Sequence, residues 1–376
     1  MSKYPQKYDL ELKNQIFILL IYSDQTGSFT IPDIFIHQKK NHYRYFIDAY
    51  IAFLKPMILP SDLIENELKI FESRFREAVK SNVPMLDRIM RYVVKRKGKQ
   101  LRPMFVLLSA KLCGGINEST YRAASLVELL HTATLVHDDV VDDSFERRGY
   151  FSVYALWKTK ASVLIGDYLL AKGLLLSLDN KDHEILHYLS DAVRKMSEGE
   201  LLQLEKARTL NIKEDIYYEI IKNKTASLLA SACAAGAWSS NQDIIKADRL
   251  KLFGENAGMA FQIKDDLFDY ASDKIGKPTG DDIKEKKLTL PLIYTLNNCD
   301  KATRKEITYI IKNKNTEMKE VKKVAEIVTR SGGIQYATDK MNVYFNKSKE
   351  ILYQFPENES RNGLEQLVNF VIDRKY

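Results

Sequence analysis

Between Pro103 and Pro278 the chain contains no proline. Proline disrupts the interior of a helix, so a long proline-free span can hold uninterrupted helices. Strand-like alternation of apolar and polar residues is almost absent from this span, and just upstream Leu86, Met90 and Val93 repeat at helical spacing. The pattern predicts an all-α fold, built as a long array of helices.

Two acidic runs within this span repeat the spacing D-D-x-x-D. They are Asp138, Asp139 and Asp142 in the first run, and Asp265, Asp266 and Asp269 in the second. Residues three or four positions apart are neighbours on a helix, so these carboxylates repel one another. A single run of this kind is more often a solvated helix face. Two runs, each among apolar residues, favour a site for a hard divalent cation, and Mg²⁺ fits best where a phosphate supplies further oxygen ligands.

The paired runs, the first followed by Arg147-Arg148-Gly149, resemble the aspartate motifs of the head-to-tail trans-isoprenyl diphosphate synthases, or polyprenyl synthetases. The resemblance extends from about Lys80 to the C-terminus. It implies the isoprenoid synthase fold, a single large domain of antiparallel helices around a central cavity, usually found as a homodimer. It also implies a Mg²⁺-dependent prenyltransferase that joins isopentenyl diphosphate head-to-tail to an allylic diphosphate and makes an all-trans polyprenyl diphosphate.

The same resemblance implies a reaction that begins with the departure of diphosphate. Mg²⁺, three ions per active site once substrate is bound, would stabilise the leaving group as a Lewis acid. An allylic carbocation would form, the isopentenyl double bond would attack it, and no protein nucleophile is required. Asp138, Asp139 and Asp142 would hold two of the ions and Asp265 the third, with Asp266 and Asp269 in support.

Basic and polar residues outside the aspartate runs resemble the diphosphate-binding positions of the family. A lone basic loop is usually a solvated connection, and a lone histidine on an apolar helix is usually a core residue, so these assignments depend on the resemblance. For isopentenyl diphosphate they are Lys99 and Arg102 in the loop G-K-Q-L-R-P, His131 and Arg148. For the allylic diphosphate they are Arg147, Lys224, Thr225, Gln262 and Lys277, with Lys287 at a further basic position; Lys224 is also assigned to catalysis.

Product length in the family depends on residues one turn before the first motif, where bulky side chains close the tunnel into which the product grows. Here these positions are Ala133 and Thr134, where farnesyl-type enzymes tend to carry aromatic residues. The stretch H-T-A-T-L-V-H-D-D also resembles the octaprenyl-type members. We therefore expect a product longer than geranylgeranyl. A farnesyl or geranylgeranyl diphosphate synthase of medium chain length is the alternative, because a bulky residue on another helix could also stop growth.

Three other classes of protein share part of this pattern. Class I terpene cyclases carry the first aspartate motif but usually have a different second metal motif. A non-catalytic regulatory subunit of a heteromeric synthase generally loses one motif, whereas both are intact here. A module that only binds divalent cations would leave one set of basic residues without a purpose. That set is Lys99, Arg102, Arg147, Arg148 and Lys224.

The N-terminal residues 1–56 differ from the rest, being rich in tyrosine and lysine. We interpret them as an extension of unknown role, and residues 57–376 as the all-helical synthase domain. Either translation begins at Met57, or the extension is a small helical element that packs on the main domain. At the start of that domain, Asp62 and Glu65 resemble a helix capping box.

Composition narrows the possible partners and the location. The formal net charge is +7, but lysines are spread along the chain, which argues against a nucleic-acid partner. Cys113, Cys233 and Cys299 are isolated, so neither a disulfide framework nor a zinc site is expected, and the reducing cytoplasm is the natural location. The apolar run 16–21 is too short to span a membrane. Membrane contact would be at most peripheral, for product release.

Overall fold

The computed structural model describes residues 60–95, 99–147, 149–209, 213–270 and 280–373. Within these ranges the chain is almost entirely helical, which confirms the all-α prediction. The proposed extension, residues 1–56, lies outside the described residues, and so do Arg148 and Lys277. The helices are α1 (Glu65–Ala78), α2 (Pro84–Lys95), α3 (Leu101–Cys113), α4 (Glu118–Val141), α5 (Val153–Leu178), α6 (His183–Thr209), α7 (Glu214–Ile221), α8 (Ser227–Asn241), α9 (Ile244–Phe268), α10 (Asp281–Lys284), α11 (Leu290–Asn298), α12 (Lys301–Asn313), α13 (Met318–Arg330), α14 (Gly333–Leu352) and α15 (Glu359–Asp373).

The first helix begins differently from the sequence prediction. Asp62–Ile64 form a 3₁₀ turn, and the N-cap residue of α1 is Ile64, whose side chain has no hydrogen-bond acceptor. The predicted capping box of Asp62 and Glu65 is therefore wrong. Ile64 is fully buried instead, so apolar burial rather than a polar cap fixes the start of this helix.

Helix α8 lies at the centre of the helical array because its side chains are small. It packs against α3, α4, α6 and α9, and Ala234, Ala235 and Ala237 are fully buried. A Cβ atom added at Gly236 would lie 2.3 Å from the carbonyl oxygen of Val106 on α3, so no larger residue fits. This close packing fixes the helices α4 and α9, which carry the two aspartate motifs.

The two motifs occupy equivalent places, at the C-terminal ends of these two long helices. Helix α4 begins with a capping box between Asn117 and Thr120 and ends at Asp142, its C-cap. Helix α9 begins after the N-cap residue Asp243 and ends at Asp269, its C-cap. The C-terminal end of a helix carries a partial negative charge, so aspartates placed there repel it. Both motifs therefore need compensating cations.

A short antiparallel hairpin follows the first motif, where the sequence pattern predicted no strands. Strands β1 (Glu146–Arg147) and β2 (Tyr150–Phe151) pair, and Gly149, with a φ of 74°, lies in the turn between them. The hydroxyl of Tyr92 on α2 donates a hydrogen bond to the carbonyl of Phe151 at 2.6 Å, which attaches the hairpin to the domain. Two-residue strands are too short to produce a visible alternation in the sequence.

One π-helical turn, Lys222–Ala226, joins α7 to α8. Such turns are rare and occur frequently at functional sites. A Cβ atom added at Gly199 of α6 would lie 2.9 Å from the backbone nitrogen of Lys224, and one added at Gly258 of α9 would lie 2.6 Å from Cα of Ala226. The turn is thus held between α6 and α9, and its side chains are placed by both.

Helix α5 has one face inside the domain and one apolar face outside. Its Gly173 approaches α4 so closely that a Cβ atom there would lie 2.7 Å from Cδ1 of Leu126. On the other side, Leu164 and Leu175 are exposed. By length and composition the helix could cross a membrane, but 33% of its most apolar segment is buried in the protein, and core helices of soluble proteins pass the same test. The backbone of α5 leaves the helical conformation at Lys158, with φ of 66°.

Candidate active site

The first aspartate motif is compensated by a cation of the protein itself. Arg147, on strand β1, donates a hydrogen bond from Nε to Oδ1 of Asp139 at 2.6 Å. Asp139 is buried; burial raises the pKa of its carboxyl, and the hydrogen bond and charge of Arg147 oppose the rise. Asp142 lies beyond the last turn of α4 and is exposed. The hairpin therefore places the guanidinium of Arg147 next to the partially negative C-terminal end of α4.

Asp138 faces a charged pair that connects α6 to the π turn. The ammonium of Lys224 contacts the carboxylate of Glu200 and lies 3.5 Å from Oε1 of Gln203. Burial raises the pKa of Asp138, Glu200 raises it further, and Lys224 opposes the rise. The lysine assigned to the allylic diphosphate is thus within electrostatic reach of the first motif. Sequence reasoning missed Glu200 and Gln203, because the run E-G-E-L-L-Q is typical of an ordinary polar helix face.

Neutral donors hold Asp266 in the second motif. The hydroxyl of Tyr217 donates a hydrogen bond to Oδ2 at 2.6 Å, and Nε2 of Gln262 donates one to Oδ1 at 2.9 Å. Thr225 in turn donates its hydroxyl to Oε1 of Gln262 at 2.6 Å. Burial raises the pKa of Asp266 to about 6, although the hydrogen bonds from Tyr217 and Gln262 lower it. The structure thus brings together three residues assigned from sequence and adds Tyr217.

Asp269 presents one satisfied and one unsatisfied carboxylate oxygen. Oδ1 accepts hydrogen bonds from the backbone N–H groups of Gly280 at 3.1 Å and Asp281 at 2.8 Å. Oδ2 is buried and has no donor in hydrogen-bond geometry among the described residues, although the backbone N–H of Asp282 acts on the carboxyl and lowers its pKa. Burial also raises the pKa of this carboxyl. A buried anionic oxygen without a donor is costly, and a hard cation would satisfy it.

Lys287 lines the same cavity as Asp266 and is within electrostatic reach of Asp142. Burial lowers the pKa of its ammonium, but the contact with Glu285 and the charges of Asp282 and Asp142 raise it by more, so that the pKa is above its ordinary value. The same ammonium lowers the pKa of Asp266. One half-buried cation is therefore within electrostatic reach of a carboxylate of each motif.

Two cavities border the motifs. The smaller has an empty volume of about 590 Å³ and is open to solvent; its polar lining includes Lys224, Thr225, Gln262, Asp266, Asp282 and Lys287. Burial and the nearby carboxylates of Asp266 and Asp269 raise the pKa of Asp282 to about 8. The larger has an empty volume of about 970 Å³ and a mainly apolar lining. Its polar lining includes Gln100, His131, Asp139 and Arg147.

Assigned residues near the basic loop have less direct connections to the motifs. Gln100, between Lys99 and Arg102, lines the larger cavity together with the buried His131. The ammonium of Lys99 lies 4.6 Å above the ring of Phe370 on α15. The loop is therefore at the rim of the same space, with Lys99 held by the C-terminal helix.

The residues assigned to product length lie on α4 away from both cavities. Ala133 is fully buried, and Thr134 is half-buried and donates its hydroxyl to the backbone carbonyl of His131 at 2.9 Å. Among the described residues, neither lines the two cavities. His137, the residue before Asp138, lies against α5, with Nε2 at 3.3 Å from the carbonyl oxygen of Val163.

The donor set fits a hard divalent cation. All the motif side chains are carboxylates, the ligands that Mg²⁺ prefers, and Oδ2 of Asp269 has no donor in hydrogen-bond geometry among the described residues. Across these residues no three histidine, cysteine or acidic side chains are grouped closely enough to hold a metal by themselves. Mg²⁺ usually takes only one or two protein carboxylates and completes its shell with water and phosphate oxygens. The arrangement therefore suits a metal that arrives with a diphosphate.

Comparison with known proteins agrees with this geometry. The sequence model of the polyprenyl synthetase family matches residues 83–328. An all-trans-nonaprenyl-diphosphate synthase, described as geranyl-diphosphate specific, from Rhodobacter capsulatus is 34% identical over 86% of this chain and 99% of its own length. A short chain isoprenyl diphosphate synthase from Methanothermobacter thermautotrophicus is 32% identical over 84% of this chain and 98% of its own.

A solved structure shows the same fold with ligands. The polyprenyl synthase from Caulobacter crescentus, crystallised with calcium and isoprenyl diphosphate, has a TM-score of 0.78 and 34% identity, covering 84% of this chain and 97% of its own. The similarity extends over nearly the full length of each relative, so it includes both motifs. The family inferred from the paired aspartate runs is thereby confirmed: this chain belongs to the polyprenyl synthetase family.

Proposed function

We propose that this chain condenses isopentenyl diphosphate head-to-tail with an allylic diphosphate to give an all-trans, long-chain polyprenyl diphosphate. The observation that carries the proposal is Lys287, which lines the smaller cavity with Asp266 of the second motif and whose half-buried ammonium is within electrostatic reach of Asp142 of the first. Two carboxylate groups joined by a cation form one site rather than two separate ones. A diphosphate with its metal ions is the ligand that such a site can hold.

The roles of the residues follow from their positions. When bound, Mg²⁺ would supply Lewis-acid stabilisation to the departing diphosphate, and up to three ions would be held by the motif carboxylates. Lys224 and Lys287, which line the smaller cavity, bind the allylic diphosphate as point charges. Lys277 is assigned to the same diphosphate from sequence. Fixed charges of this kind act where negative charge develops and need no reorganisation during the reaction.

The larger cavity suits the isopentenyl substrate. His131 lines it, and Tyr92 and Leu135 contribute to its apolar wall. Arg147, assigned to the allylic diphosphate, lies at its edge beside Asp139. Diphosphate would bind at the polar end, supported by Lys99, Arg102 and Arg148, and the five-carbon group would lie against the apolar wall. Exclusion of water from that wall protects a carbocation from hydrolysis.

We propose a product longer than geranylgeranyl because Ala133 and Thr134 leave the positions before the first motif small. The nonaprenyl relative supports a long product, whereas the short-chain relative shows that the family alone does not determine length. Growth past Ala133 requires the helices around α4 to separate, because this alanine is fully buried in the substrate-free protein.

We also propose a cytoplasmic homodimer in which a second copy of the chain covers the outer face of α5. Leu164 and Leu175 on that face are 68% and 52% exposed, and neighbouring leucines extend the apolar surface. Apolar surfaces of this extent usually mark an interface. Light scattering should give twice the monomer mass, and Leu164→Glu should give a monomer; a wild-type monomer would contradict the proposal.

The test of the activity is incubation with MgCl₂, labelled isopentenyl diphosphate and farnesyl diphosphate, followed by chromatographic sizing of the dephosphorylated products. Products beyond C20 are expected. Products that stop at C15 or C20 would replace the long-chain proposal with a medium-chain synthase. No extension of any allylic primer would favour the regulatory subunit.

A further inference from the structure

Both oxygens of the Asp266 carboxylate are held, and both by uncharged donors. Tyr217 binds Oδ2 at 2.6 Å and Gln262 binds Oδ1 at 2.9 Å. Asp266 is 6% exposed and Tyr217 is 4% exposed. A carboxylate oxygen has two lone pairs, so one hydrogen bond on each oxygen leaves one acceptor position on each. The two hydrogen bonds therefore determine the direction in which the remaining lone pairs of the Asp266 carboxylate point.

Both donors to Asp266 are positioned by one helical segment, which consists of α7 and the π turn that follows it. Tyr217 lies in α7, and Thr225, which donates to Gln262 at 2.6 Å, lies in the π turn that follows α7. This element thus holds the Asp266 carboxylate twice, once directly and once through Gln262. The same π turn carries Lys224, so the allylic diphosphate site and the second motif share one support.

The support itself cannot shift easily. Gly199 and Gly258 allow α6 and α9 to approach the π turn to within van der Waals contact on two sides. Tyr217 is enclosed in the core beside the turn. A donor fixed in this way sets a preferred orientation for its acceptor, and hydrogen bonds to carboxylates that bind metals serve this purpose.

We propose that Tyr217 is a positioning residue, whose hydroxyl fixes the Asp266 carboxylate so that its remaining lone pairs face the space where Mg²⁺ binds together with diphosphate. The proposal deepens the proposed function and rests on it for the identity of the ligand. Sequence reasoning gave no reason to select Tyr217 from the run D-I-Y-Y-E-I-I. Its neighbour Tyr218 is engaged elsewhere, donating its hydroxyl to Glu214 at 2.9 Å.

The test is Tyr217→Phe in the full chain, with Tyr218→Phe as a matched control. Each variant loses one hydroxyl that donates to a carboxylate, but only the first of these carboxylates belongs to an aspartate motif. Binding of Mn²⁺ in the presence of inorganic pyrophosphate would be followed by electron paramagnetic resonance. We expect Tyr217→Phe to weaken this binding roughly 10-fold to 100-fold, and Tyr218→Phe to change it less than about twofold.

A kinetic measurement on the same variants separates positioning from general loss of structure. For Tyr217→Phe the Mg²⁺ concentration at half-maximal rate should rise by a similar factor, while KM for isopentenyl diphosphate stays within about twofold. In the background of Asp266→Asn, Tyr217→Phe should cause no further loss, since residues that act through each other are not additive.

Three outcomes would overturn the proposal: unchanged Mn²⁺ binding in Tyr217→Phe, an equal loss in Tyr218→Phe, or a further loss from Tyr217→Phe in the Asp266→Asn background. Failure of the proposed function would look different. The wild-type protein would then form no polyprenyl product, while the Mn²⁺ and pyrophosphate titration would still report whether Tyr217 supports the second motif.

Discussion

The two aspartate motifs have the same spacing and the same place at the end of a long helix, yet the protein compensates their charge in different ways. In the first, Arg147 pairs with Asp139, and Lys224 with Glu200 faces Asp138. In the second, Asp266 receives hydrogen bonds from a phenol and an amide, and Asp269 receives them from backbone N–H groups. Only Lys287 brings a formal positive charge near Asp266, among the causes that shift its pKa.

An identical sequence pattern can therefore produce two sites whose negative charge is balanced by different groups. Neutral donors stabilise a carboxylate without cancelling its charge, whereas a guanidinium cancels it. The protein's own groups thus cancel less of the negative charge of the second motif than of the first. We infer that the second motif depends more strongly on a cation from solution than the first does.

The largest expected effect is the loss of rate when either motif loses one charge. Asp139→Asn and Asp266→Asn should each lower kcat at least about 100-fold. Each substitution removes a carboxylate that would hold Mg²⁺ next to the leaving diphosphate. Initial rates at saturating MgCl₂ measure this directly. Near-normal rates in one variant would show that the motif concerned is not part of the active site.

Product length should change when a bulky residue is introduced before the first motif, but not when one is introduced before the second. Ala133 lies five residues before Asp138, Ala260 lies five residues before Asp265, and both alanines are fully buried. Ala133→Phe should shorten the product, whereas Ala260→Phe should leave its length unchanged. Both substitutions overpack the core, at a cost of about 1 to 3 kcal/mol, so thermal unfolding should be compared as well. An unchanged product from Ala133→Phe would refute the tunnel assignment.

Stability of the metal-free protein should depend on pH through the second motif. The pKa of Asp266 is about 6 in the folded protein and 3.8 ordinarily, so the folded state binds the additional proton between these values. The unfolded state binds fewer protons there, and the free energy of unfolding therefore falls as pH rises from about 4 to about 6. The part of this loss that Asp266 causes is on the order of 3 kcal/mol.

Denaturant unfolding in EDTA measures this loss, and two variants assign it. Asp266→Asn should remove one part of the decline between pH 4 and 6, whereas Asp282, whose pKa is raised to about 8, should maintain another part. Asp139→Asn should remove less of it, because Arg147 opposes the rise in the pKa of Asp139. If the two variants reduced the pH dependence of the free energy of unfolding equally, the two motifs would not differ in how their charge is compensated.

The smallest expected effect is a change in KM when the ion pair between Lys224 and Glu200, beside the first motif, is broken. Glu200→Gln releases Lys224 from a competing carboxylate, so KM for the allylic diphosphate should fall roughly twofold to fivefold. This factor corresponds to about 1 kcal/mol or less, the usual worth of a partly exposed ion pair. Glu198→Gln, on the same helix but paired with Arg194, is the control and should leave KM unchanged. A rise in KM for Glu200→Gln would contradict this role.

Much of the fold could be predicted because its signals are local. The proline-free span and the helical spacing of Leu86 and Met90 indicated helices, and these helices are present. The capping box at Asp62 failed because apolar burial of Ile64 outweighs a polar cap at that end. The hairpin at 146–151 escaped notice since each of its strands has only two residues.

The candidate site was predictable only in part. Charged residues such as Lys224 could be predicted because phosphate binding requires their chemistry and a known family carries them. Tyr217 and Glu200 were missed because their roles arise from tertiary contacts: α7 packs beside α9, and α6 packs against the π turn. Their sequence context is that of ordinary helix residues, so only the distances reveal them.

The most direct test of the account is a titration of the wild-type protein with Mn²⁺, with and without inorganic pyrophosphate. If the two motifs form one site for a metal diphosphate, Mn²⁺ should bind tightly only when pyrophosphate is present, and Asp266→Asn should weaken that binding. Micromolar Mn²⁺ binding that is independent of pyrophosphate would contradict the account and would favour a simple cation-binding module.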